Sequence, residues 1–188
     1  MFRGQDIRSL PQKGLRKEIS YVPQKAWLFS GTIKENLVQG KETAGEEEML
    51  HALKTAQADF VKNLPQGLET KVAQGGTNFS GGQKQRLCIA RALLKKPKVL
   101  ILDDSTSAGD TATDAKIRAA FRQVIPGTTK IIIAQRVSSV EEADRILVLD
   151  DGKINGFDTH EHLLENNEIY RDIYESQTQG GGDFDHAA

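Results

Sequence analysis

The chain's 188 residues, 38% of them hydrophobic, suffice for one domain with its own core. Its 25 basic and 26 acidic side chains leave a net charge of −1, which removes the electrostatic case for a nucleic-acid surface. A single cysteine, Cys88, excludes an internal disulfide and fits a reducing compartment, and no apolar run approaches the roughly 18 residues of a membrane span, so the chain itself is read as soluble.

The N-terminal stretch GQDIRSLPQKGLRKEISYVPQ reads as a strand end, a short turn or helix, and a strand at Ile19–Val22 stopped by Pro23. Nothing ahead of it forms a first layer, so the chain is expected to be cut at its start. Residues 41–71 carry helical spacing in Met49, Leu50, Leu53, Ala56 and Phe60. GGTNFSGGQ interrupts that pattern before a helix from about Gly82 to Lys95, whose apolar face is Leu87, Ala90, Leu93 and Leu94 and whose stop is Pro97. Cys88 falls within this helix and is expected to be a core thiol. KVLIL, a helix around Thr113–Val124, KIIIA, a helical turn at Ser138–Ala143 and RILVL follow. The three apolar runs are continuous rather than alternating, as in parallel strands buried on both faces. DDGKINGF then reads as a hairpin, Thr159 as the N-cap of a closing helix to about Glu175, and residues 176–188 as a flexible tail.

Polar residues follow three of the strands: Gln24, the adjacent Asp103 and Asp104, and Gln135. In open parallel sheets this is the ligand-binding edge. Two neighbouring carboxylates repel unless a cation or a shared proton lies between them, although an Asp-rich turn also fits the sequence. NFSGGQ (78–83) adds Ser80 and the paired Gly81 and Gly82 directly ahead of a helix, a design for phosphate. A plain loop-to-helix cap needs one Ser or one Gly, not this run. His51, His160, His162 and His186 form no metal-ligand grouping, and His160 and His162 are read as solvated. Trp27 and Phe29 are read as an exposed apolar contact rather than core, and Glu46–Glu48 as a solvated helix start.

NFSGGQKQR is similar to the signature sequence of ATP-binding-cassette (ABC) ATPases, and VLILDD to their Walker B strand. YVPQ resembles their Q-loop, SAGD their D-loop, and IIIAQRVSSV their switch strand. The resemblance covers about residues 3–175. AWLFSGTIKENL (26–37) further resembles the exporter branch, in which this segment meets a transmembrane domain. The implied fold is α/β: a P-loop-NTPase-like, mostly parallel sheet flanked by helices, with a helical signature subdomain at about 41–95. Residues 1–175 are then a partial ABC ATPase domain whose first strands and P-loop are missing.

The resemblance implies ATP and Mg²⁺ as cofactors. It places Asp103 on the Mg²⁺ with Gln24 reaching the same metal. Ser80, Gly81, Gly82 and Gln83 would press on ATP held by an opposed nucleotide-binding domain, and Asp110 would couple the two sites. Asp104 stands where the family has a water-polarising glutamate and is one methylene shorter. Gln135 replaces the switch histidine and carries no positive charge. The site built on this chain's Walker B is therefore expected to bind ATP and hydrolyse it poorly, while the intact signature serves a partner's site; a heterodimer fits that asymmetry. No GxxxxGK[ST] loop is present: Gly40-Lys41 precedes Glu42, Gly152-Lys153 precedes Ile154, and Gly109 departs from the usual D-loop. The implied partners are a transmembrane domain, met through Gln24–Leu37, and a second nucleotide-binding domain, without nucleic acid. The implied location is the cytoplasmic face of the plasma membrane. Two alternatives stay open: a non-hydrolysing structural or regulatory ABC module, and a soluble ABC ATPase acting on nucleic acid or ribosomes.

Overall fold

A computed structural model describes residues 1–103 and 111–179. The chain divides into two compact units, Met1–Ile133 and Ala134–Ala188.

The first unit opens with a 3₁₀ turn and helix α1 (Gln12–Glu18), which leads into strand β1 (Ile19–Val22). A two-residue strand β2 (Gly31–Thr32) and helix α2 (Ile33–Val38) follow; Thr32 and Glu35 close a reciprocal capping box that starts α2. Helix α3 (Glu46–Thr55) has three glutamates in its first turn, where the helix dipole favours them. It ends before Gln57, whose φ is +55°, so the helical spacing that sequence extends to Phe60 finishes in a 3₁₀ turn. Strand β3 (Lys71–Val72) pairs antiparallel with β2. Helix α4 (Gly81–Leu94), strand β4 (Val99–Asp103), helix α5 (Thr111–Val124) and strand β5 (Thr129–Ile133) complete the unit.

The sheet order is β1-β4-β5, all parallel, with Val22 beside Leu102 and Asp103 beside Ile133. Val22, Leu100 and Leu102 pack into one core with Leu87, Cys88 and Ile89 of α4 and with Ile117 and Phe121 of α5. Ser20 is tied to α4 by a hydrogen bond from its hydroxyl to the Ala92 carbonyl at 3.1 Å. Burial on both faces, expected from the continuous apolar runs, does not hold. Burial alternates along β1, β4 and β5, and Tyr21, Ile131 and Ile133 are about half exposed on the other face. An apolar run can therefore line an open sheet face as well as a covered one.

The second unit holds strands β6 (Ile146–Asp150) and β7 (Lys153–Asp158) and helices α6 (His160–Asn166) and α7 (Glu168–Gln179). RILVL does not join the parallel sheet: among the described residues β6 pairs with β7 alone, antiparallel. Asp151 and Gly152, both at positive φ, make the tight turn that sequence predicted. Thr159 caps α6 as expected. The closing helix is two helices, because Asn167 is extended between them, and α7 continues to Gln179. His160 is not solvated: its Nδ1 meets the Tyr170 hydroxyl at 2.8 Å, and its ring packs edge-on to Tyr170 and Tyr174. Burial and nearby acidic groups push the Tyr170 phenol up to about 12. Among the described residues no helix is long and apolar enough to cross a membrane.

Candidate functional site

Parallel pairing brings the carboxyl ends of β1 and β4 to one sheet edge. Asp103 is the last residue of β4, and Gln24 stands exposed two residues beyond β1. The Tyr21 hydroxyl donates to Asp103 Oδ2 at 2.6 Å. Donating that bond, together with burial, holds the phenol above its ordinary range. Sequence reasoning missed Tyr21; its signal was the strand period, which places it on the same face as Asp103 once β1 and β4 pair in register. Asp104, Gly109 and Asp110 lie outside the described residues.

Gln135 belongs to the second unit and is exposed two residues after β5. Its backbone carbonyl accepts from Gln177 Nε2 at 2.8 Å, and Gln177 Oε1 accepts the Val137 N–H at 2.8 Å. Gln177, assigned by sequence to the tail, thus pins the segment after β5 from both sides of Arg136. Nothing in the local sequence marks it, because its partner groups lie some 40 residues away.

Ser80 is the N-cap of α4. Its Oγ accepts the Gln83 N–H at 3.2 Å, and Gln83 Oε1 accepts the Ser80 N–H at 3.0 Å. The cap therefore uses Ser80 and Gln83 together, more of the run than a minimal cap requires. Gly81 and Gly82 occupy the first two helical positions, exposed and half-buried, where N–H groups have no intrahelical partner. The loop leading into them is fixed by Asn78, which accepts the Ala73 N–H and donates to the Lys71 carbonyl, both at 2.9 Å. Gly75 and Gly76 take φ near +70° beneath Trp27 and Leu28: a Cβ on Gly75 would lie 3.2 Å from the indole, and one on Gly76 3.0 Å from Leu28 Cδ1.

That contact joins the signature loop to the segment 24–37. Trp27 and Phe29 are 47% and 54% exposed, on either side of fully buried Leu28. Buried Asn36, also unremarked in the sequence, holds Phe29: its Oδ1 accepts the Phe29 N–H at 2.8 Å, and its Nδ2 donates to the carbonyls of Phe29 at 2.8 Å and Thr32 at 3.0 Å. Arg91 donates to the Trp27 carbonyl at 3.0 Å and lays its guanidinium over the Phe29 ring. Burial pushes the Cys88 thiol up, which leaves it an unreactive core group.

The ABC transporter family profile matches residues 1–107. The chain belongs to the ABC transporter family. Over 172 residues it is 48% identical to the "Uncharacterized ABC transporter ATP-binding protein YfiB" of Bacillus subtilis strain 168, covering 91% of this chain and 30% of that protein. Over 179 residues it is 49% identical to the "Probable multidrug resistance ABC transporter ATP-binding/permease protein YheI" of the same organism, covering 94% and 30%. Among solved structures, a bacterial Atm1-family ABC exporter with ATP bound superposes with a TM-score of 0.89 at 40% identity, covering 93% of this chain and 31% of that one. The α/β architecture, a parallel sheet flanked by helices, is that of the ABC nucleotide-binding domain. The chain spans about 30% of the length of the curated relatives it matches.

Proposed function

We propose that the chain is part of the ATP-binding portion of an ABC exporter, with a working signature and a weakened water-activating site of its own. The observation that carries this is the Ser80–Gln83 turn. The capping box consumes the Gln83 N–H and, among the described residues, leaves the Ser80 O–H, with the Gly81 and Gly82 amides, free to donate at the positive end of a 14-residue helix. Those donors would meet the γ-phosphate of ATP bound by an opposed nucleotide-binding domain.

Asp103 and Gln24 fit Mg²⁺. They are oxygen donors at adjacent strand ends, and Mg²⁺ is held by one or two protein groups with phosphate and water completing its shell. When bound, the ion neutralises phosphate charge as it develops. Asp104 would leave its carboxylate roughly an ångström short of an attacking water, a misplacement that costs about 10²-fold. Gln135 would hydrogen-bond phosphate without adding charge. Asp110 would couple the paired sites. A homodimer would hold two weakened sites, so we favour a heterodimer whose partner supplies the competent glutamate and histidine. Trp27 and Phe29 would face the transmembrane domain through the Gln24–Leu37 segment, at the cytoplasmic face of the membrane. Residues 41–95 would be the helical subdomain of an ABC ATPase region reaching to about 175.

ATPase measurement on the membrane assembly containing this chain tests the reading. Ser80→Arg places a bulky cation at the signature and is expected to remove most turnover by blocking the partner's site. Unchanged turnover would favour the second reading, a structural or regulatory module, for which Asp104 and Gln135 also speak.

A further inference from the structure

Tyr21 lies on β1, at the edge of the sheet formed by the described residues, and is 54% exposed, where water could satisfy its phenol. Its hydroxyl instead donates to Asp103 Oδ2 at 2.6 Å, within the range of a charge-assisted O–H···O⁻ bond. The geometry comes from the sheet: Tyr21 pairs with Ile101, so Asp103, two residues on, lies diagonally across on the same face. Engaging Oδ2 from the β1 side restrains the carboxylate's rotation and leaves Oδ1 outside that bond. The donor is neutral, so it orients Asp103 without cancelling the charge that a cation needs.

We propose that Tyr21 is a positioning residue for the metal-binding carboxylate: its hydroxyl holds Asp103 Oδ2 so that Oδ1 is offered to a divalent cation. This rests on the reading of Asp103 as a Mg²⁺ ligand. Outer-shell partners of ligating carboxylates are worth about 10- to 100-fold in metal affinity, and the lower end suits an exposed site.

Mn²⁺, the paramagnetic stand-in for Mg²⁺, is titrated into the 188-residue chain with free ion read by electron paramagnetic resonance. Tyr21→Phe keeps the ring and removes only the oxygen; it is expected to weaken Mn²⁺ binding about 10-fold with an unchanged melting temperature, while Asp103→Asn abolishes the same binding. Affinity that is unchanged or tighter in Tyr21→Phe, with Asp103→Asn still abolishing binding, overturns the proposal and spares the metal reading. No difference between Asp103→Asn and the parent, or no saturable binding by the parent at millimolar Mn²⁺, overturns the proposal. Fluorine NMR of chain labelled with 3-fluorotyrosine tests the bond without metal. The resonance lost in Tyr21→Phe is expected to shift in Asp103→Asn, and an unmoved resonance denies the hydrogen bond.

Discussion

Asn36 shows how much one buried polar side chain settles. Both ends of its amide are paired, to the two backbone groups of Phe29 and to the Thr32 carbonyl, which ties the turn carrying Trp27 and Phe29 to the start of α2. Asn36→Leu fills similar volume but strands those backbone groups, and is expected to cost about 1–3 kcal/mol in a urea melt. Trp27 is the chain's only tryptophan, so its emission reports the same loss as greater quenching by acrylamide. At this scale the sequence was legible where a residue acts by type and poorly so where it acts by partner. Asp103 and Ser80 stood out from their neighbours, whereas Asn36, Tyr21 and Gln177 became visible only once distant backbone was brought to them.

At the scale of elements, helices were read most accurately where caps and stops agreed. Ser80 and Pro97 bracketed α4, and Thr159 marked α6. The apolar periodicity past α3 misled because Met49, Leu53 and Ala56 enter the core and Phe60 packs against it although the helix ends at Thr55. The strands were found, but continuous hydrophobicity did not report which faces were covered or that β6 pairs outside the parallel sheet. Helix α3 is also held by charge. Glu48 accepts from Lys41 and then Lys96, which lowers its pKa from an ordinary 4.5 to about 2. A depressed carboxylate stabilises fully above the unfolded value and loses that contribution as pH falls towards the folded one. Glu48→Gln is therefore expected to lower stability near neutrality and to converge with the parent towards pH 2, flattening the fall between about pH 4.5 and 2, read by melts from neutrality down through that range.

For the whole molecule, the parallel sheet places Asp103 beside the ends of its neighbours, the capped helix α4 presents the signature amides, and the Trp27–Gly75 contact joins the signature loop to the exposed aromatic turn. The family was legible because its motifs are short, polar and set at strand and helix ends. On the function proposed above, the signature works while the chain's own water-activating positions do not. The direct measurement is ATPase turnover of the membrane assembly in a Ser80→Arg background, which silences the site this signature completes, with and without Asp104→Glu and Gln135→His together. Turnover is expected to be low and to rise by about 10²-fold with the paired substitutions. Turnover already high in the Ser80→Arg background, or unmoved by the pair, would contradict that function.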